Sequence, residues 1–184
     1  PEIDGLRAIA VIAVIINHID KNILPNGYLG VDIFFVISGF VITSSLSKND
    51  SKSFKEFINN FYLRRLKRIV PALAFYVSIF SILISLVNIY PAIHLVTGLT
   101  SLFGLSNVFL YSQSVNYFGE ATLLNPFTHT WSLGVEEQFY FLFPFLIWFS
   151  GYIKNKKNSS FLNLLIILSS ISIIGFFSLY ENNT

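Results

Sequence analysis

From Ala8 to Ile16 the chain runs nine apolar residues without a break, and similar texture returns at 29–47, 69–89, 92–111, 134–151 and 161–180. With the first stretch taken as 5–20, these segments approach the roughly 20 mostly apolar residues that a spanning helix needs. The pattern predicts an all-α fold, a polytopic transmembrane helical bundle with about six spans. Polar punctuation sets the connections. "DKNILPNGYLG" is short and contains Pro25, Gly27 and Gly30, which suits a tight interfacial turn. "SKNDSKSFKEFINNFYLRRLKR" is long and basic, and its Phe54, Phe57, Ile58, Phe61, Tyr62 and Leu66 recur at helical spacing between cations. An interfacial amphipathic helix leading into the third span is the expectation there. "SQSVNYFGEATLLNPFTHT" is polar and too long for a hairpin turn, so it is expected to fold over or into the bundle.

Composition reinforces the membrane reading. Of 184 residues 53% are hydrophobic and 12% charged, with a mean hydropathy of +0.63, which excludes an ordinary soluble domain. The absence of cysteine excludes disulfides, a thiolate nucleophile and a cysteine-based metal site, and no metal is expected. Net charge is only +2, but seven of the twelve basic residues lie between Lys48 and Arg68. The positive-inside rule places that stretch, and with it the N-terminus, in the cytoplasm. Lys154, Lys156 and Lys157 would then lie outside by strict alternation. Either three lysines are too few to dictate topology, or a segment between Tyr90 and Thr130 is re-entrant. A single domain over 1–184, continuing beyond Thr184, is expected from the way the last hydrophobic helix simply stops.

Ionisable residues inside such helices are expensive and usually face a bundle interior or a wet cavity. Arg7 and His18 are eleven residues apart, so on a helix they fall within about 20° of each other and roughly 16 Å apart. They are either a snorkelling anchor and a surface histidine or a buried functional stripe. Asp32 opens the second span, where it either complements the helix dipole or faces His18 and orients its imidazole. Ser38 and Gly39 sit mid-span and suit close helix approach. Arg65 and Arg68, at i and i+3, either anchor the chain or chelate phosphate with planar forks. In "HTWSLGVEEQFYFLFP", Glu136 and Glu137 are either first-turn charges on a helix capped by Thr130 or Ser132, or groups of which at least one points into the bundle. Tyr140 lies four residues beyond Glu136 on the same side.

Taken in order, "DGLRAIAV" with its basic residue and a histidine, "GVDIFFVISGF", Arg-x-x-Arg and "HTWSLGVEEQFY" resemble the motifs of the membrane acyltransferase-3 family, which includes O-antigen and peptidoglycan O-acetylases. The similarity covers residues 2 to 144. It implies transfer of an acyl group, usually acetyl, from cytosolic acyl-coenzyme A to a hydroxyl of a cell-surface carbohydrate such as lipopolysaccharide O-antigen, peptidoglycan or exopolysaccharide. His18 would be catalytic with Arg7 as its basic partner, Arg65 and Arg68 would engage the coenzyme's phosphates, and Glu136 or Glu137 with Tyr140 would complete the site. Acetyl-CoA as co-substrate, a carbohydrate or lipid-linked glycan acceptor, the lipid bilayer, no nucleic acid, and a bacterial inner membrane location follow from the same likeness. The alternative is a multi-span transporter of an anionic metabolite that uses Arg7 and His18 as its buried ionisable pair.

Overall fold

The computed structural model describes residues 2–48, 53–114, 125–152 and 159–181. They form seven α-helices: α1 (Glu2–Ile19), α2 (Gly30–Ser47), α3 (Phe54–Val87), α4 (Ala92–Leu102), α5 (Ser106–Ser114), α6 (Thr130–Phe149) and α7 (Ser159–Glu181), with a 3₁₀ turn at Gly27–Leu29 before α2. Lys154, Lys156 and Lys157, and most of the polar stretch after Ser112, lie outside the described residues.

The all-helical expectation holds, and this is an integral membrane protein. The count of six spans does not carry over: among the described residues three helices are long and apolar enough to cross a membrane, at Gly27–Ser47, within Phe54–Val87 and at Ser160–Ser178. Two differences have plain causes. The basic amphipathic stretch and the third span are one 34-residue helix, α3, about 51 Å long, which continues through Pro71. Its first half is amphipathic only because Phe57 and Phe61 are buried against α6 while Arg64, Lys67 and Arg68 remain exposed. The stretch 92–111 is two short helices that break at Gly104, whose φ of 66° ends α4 in a left-handed turn. At 11 residues, α4 reaches about 16 Å, half of a bilayer's hydrocarbon core.

α1 and α2 pack as an antiparallel pair, and glycines set their spacing. A methyl group on Gly27 would collide with the Ala13 carbonyl, and one on Gly30 with the Ala10 carbonyl and with Val14 Cγ2 at 2.8 Å. The turn between them is held by Asn17, whose amide donates to the carbonyls of Leu24 (2.7 Å) and Pro25 (3.2 Å). Gly39, expected to serve close approach, has nothing near it, so the tight contact falls one face and two turns away. Gly30→Ala is therefore expected to destabilise the protein by about 1–3 kcal/mol through overpacking, read as a lower Tm in detergent, whereas Gly39→Ala should leave the Tm unchanged.

The main core joins four helices: Ile42 and Leu46 of α2, Phe57 and Phe61 of α3, Tyr140, Phe143 and Ile147 of α6, and Phe161 of α7. A second cluster, Leu73 and Val77 with Phe127, secures the turn that leads into α6. These two clusters hold α3 and α6 antiparallel and bring the charged positions of α1, α3 and α6 together.

Candidate active site

At one end of the bundle, α1 delivers His18. Its Nδ1 lies 2.8 Å from the Val14 carbonyl. A carbonyl only accepts, so Nδ1 carries a proton and donates it, and in the neutral ring this tautomer leaves the Nε2 lone pair for a general base. Asp32 does not orient this ring. It is exposed in the first turn of α2, and among the described residues no hydrogen bond or ion pair joins it to His18. The backbone one helical turn earlier supplies what Asp32 was expected to supply.

A residue that sequence reasoning missed completes this end. The ring of His129 meets that of His18 edge to face, with centroids 4.7 Å apart and planes at 76°. His129 precedes α6 in a turn tied to three other helices. Tyr76 of α3 donates to the Pro126 carbonyl (2.7 Å), Asn125 donates to Thr97 of α4 (2.7 Å), and Ser106 of α5 donates to the Thr130 carbonyl (2.8 Å). Within the turn, Phe127 N–H donates to the Asn125 side chain and the Thr130 hydroxyl to the Phe127 carbonyl. His129 is exposed on one side, and partial desolvation first, with the neighbouring His18 second, holds it below the usual histidine range. Its spacing from Glu136, seven residues on one helical face, was the available signal.

Glu136 and Tyr140 lie further along the same stripe of α6, both 7% exposed, and the Tyr140 hydroxyl donates to Glu136 Oε1. Two other helices reach this pair, and a third stands near Arg65. Ser38 of α2 is a hydrogen-bonding neighbour of Tyr140. Arg65 of α3 lays its guanidinium 5.0 Å from the centre of the Tyr140 ring and 5.6 Å from that of Phe61, in electrostatic range of Glu136, Arg68 and Arg7. Arg7 of α1 is paired with Asp4 at 3.6 Å, while its buried Nε has no hydrogen-bond partner. Arg65 thus brings positive charge to the edge of the buried carboxylate, and Arg7 and Arg68 are charged neighbours of Arg65 itself. This arrangement removes the capping explanation of the glutamates. α6 begins at Thr130 with no side-chain cap, because the Thr130 hydroxyl turns back to Phe127 and that of Ser132 to His129, so both glutamates fall beyond the first turn.

Glu137 occupies the neighbouring face. It is half-buried and fills the space that a side chain on Gly104 would take, since a Cβ there would lie 2.6 Å from Glu137 Oε2. Gln138 locks this contact by donating to the Gly104 carbonyl (2.9 Å) and to Asn107 Oδ1 (2.8 Å). Between α3, the α4–α5 turn and α6 lies a cavity of about 550 Å³, apolar except for Arg65, Glu137, Gln138 and the two tyrosines Tyr62 and Tyr140. Arg65 faces both this cavity and the buried carboxylate, and Arg68 stands exposed one turn further along α3. The expected arginine pair is real as a shared face but unequal in burial.

A family model described as an acyltransferase domain, acyltransferase-3, matches residues 1–184. O-acetyltransferase OatA of Staphylococcus aureus (strain NCTC 8325 / PS 47) is 39% identical over 176 residues, covering 94% of this chain and 28% of OatA, and OatA of strain COL gives the same values. A second protein of strain COL, provisionally named an O-acetyltransferase, is 42% identical over 150 residues, 80% of this chain and 24% of its own. The chain spans about a quarter of the length of these curated relatives. No solved structure matches it.

Proposed function

The chain belongs to the acyltransferase-3 family, and from that premise we propose that it forms the membrane-embedded transfer site of an O-acetyltransferase that moves acetyl from acetyl-CoA to a carbohydrate hydroxyl. The observation that carries this reading is the convergence of one polar stripe from α1, α2, α3 and α6. It has a free imidazole nitrogen at one end, and at the other a guanidinium that borders a cavity of about 550 Å³. Arg65 and Arg68 suit the phosphates of the donor, because guanidinium forks match phosphate oxygens bidentately. The apolar cavity beside Arg65 suits the arm that ends in the thioester.

The chemistry then follows from His18. Its Nε2 takes the proton of the acceptor hydroxyl as the oxygen attacks the thioester carbonyl, the new C–O bond forms, the C–S bond breaks, and the proton passes to the departing thiolate. Glu136 and Tyr140 hold Arg65 in place from within the bundle. By the positive-inside rule the basic residues between Lys55 and Arg68 favour the cytoplasmic side of a bacterial plasma membrane for the start of α3, which would put the donor site within reach of cytosolic acetyl-CoA. The acceptor is a cell-envelope glycan such as peptidoglycan, O-antigen or exopolysaccharide.

Membranes containing the full-length protein should release coenzyme A from acetyl-CoA in the presence of a glycan acceptor and leave acetyl ester on the glycan. No acceptor-dependent thioester cleavage would refute the reading. The donor site has its own test. Exchange of Arg65 and Arg68 for lysine keeps the charge that orients the chain but removes the forks. The double variant should insert normally and show an apparent KM for acetyl-CoA roughly fivefold to a hundredfold higher, matching a loss of about 1–3 kcal/mol from charge-assisted bonds. An unchanged donor KM would reduce the pair to a cytoplasmic anchor.

A further inference from the structure

Two contacts define the His18 ring. The Val14 carbonyl at Nδ1 selects the tautomer and the direction of one nitrogen, but a single hydrogen bond leaves the plane of the ring free to tilt. The His129 ring, edge to face at 4.7 Å and 76°, supplies the missing restraint. The restraint is firm, because the turn that carries His129 is tethered to α3, α4 and α5 and is seated on Phe127, which is fully buried. Partial desolvation and the adjacent imidazole also hold His129 below the ordinary basicity of a histidine.

We propose that His129 is a positioning residue for His18: its tethered ring sets the plane of the His18 imidazole, so that Nε2 meets the acceptor hydroxyl in the direction that proton transfer needs. This rests on the assignment of His18 as the base. What His129 contributes is the contact of a flat ring and not a proton, so a phenyl group in its place should serve and a compact aliphatic one should not.

The test uses the full-length protein in membranes, with kcat for acetyl transfer expressed per molecule inserted. His129→Ala should lower kcat about a hundredfold, the order expected for a reacting group displaced by about an ångström, while the KM for acetyl-CoA stays within about twofold. His129→Phe should recover most of that loss. His129→Leu, which fills the volume without a flat ring, should behave like alanine and replaces it if the alanine variant fails to insert. In a His18→Ala background, His129→Ala should have no further effect, because two residues that act as a unit are not additive. Wild-type kcat in His129→Ala or His129→Leu, or a His129→Phe as slow as alanine, would overturn the proposal. The two assignments fail separately. Activity retained by His18→Ala would remove the base itself, whereas an inactive His18→Ala beside a fully active His129→Ala would remove only the positioning role.

Discussion

His18→Ala is expected to abolish acetylation of the glycan without reducing the amount of protein in the membrane. The side chain is exposed at the end of α1 and its one hydrogen bond goes to the backbone of its own helix, so its removal leaves no buried partner unsatisfied. Its loss to transfer is large for the same geometric reason. Nδ1 is committed to Val14, so Nε2 is a base of fixed tautomer, and a positioned general base contributes roughly 10²–10⁴-fold to rate. Asn17 beside it should give the opposite result. Asn17→Ala removes two side-chain bonds that tie α1 to the α1–α2 turn and should lower the yield of folded protein more than the activity of what remains. Quantitative immunoblotting of membranes together with ester release from the glycan separates the two cases. Transfer at the wild-type rate by His18→Ala would end its catalytic assignment.

The second large effect is expected at Glu136. Glu136→Gln keeps the shape and can still accept the Tyr140 hydroxyl, but it removes the negative charge in electrostatic range of Arg65. Arg65 is half-buried and forms no ion pair with Glu136 among the described residues, so the loss falls mainly on how the guanidinium is held over Tyr140. The variant should lose acetyl transfer by about a hundredfold, the order expected for a displaced binding group, with a raised KM for acetyl-CoA. Glu137→Gln should be far milder, since Glu137 rests against Gly104 at the edge of the cavity and Gln138, not Glu137, carries the hydrogen bonds to the α4–α5 turn. Steady-state kinetics of the two variants at equal membrane content decide the matter. Rates within twofold of wild type for both would remove the acidic pair from the mechanism.

Both predictions start from residues that are local in sequence, whose grouping on one helical stripe was legible before any coordinates. Arg7 and His18 lie on one stripe because a helix repeats every 3.6 residues, and Glu136 and Tyr140 meet for the same reason. Partners from other helices were not legible. The assignment of Asp32 to His18 failed because the backbone carbonyl of Val14, present at that spacing on any helix, was the nearer acceptor. His129 was passed over because it stands at the start of its helix, where its neighbours depend on how the preceding turn is tied down. Gly39 was expected to serve helix contact and Gly27 and Gly30 only a turn. The structure reverses those roles, because which face of α2 meets α1 is a property of the pair and not of either helix.

By itself, the order of apolar and charged residues determined that the protein is helical and membrane-embedded, that Arg7 and His18 share one stripe of α1, and which short motifs tie it to its family. These are consequences of helical periodicity and of the cost of charge in lipid, which act over a few turns. Tertiary structure decided the rest. It made α3 one helix instead of two segments, because burial of Phe57 and Phe61 against α6 continues the helix through its basic half. It broke 92–111 at Gly104, where Gln138 takes the carbonyl and Glu137 the space. It also chose, from two adjacent glutamates, the one that faces Arg65 and Tyr140, since neighbouring positions on a helix point about 100° apart and only packing fixes which direction is the interior.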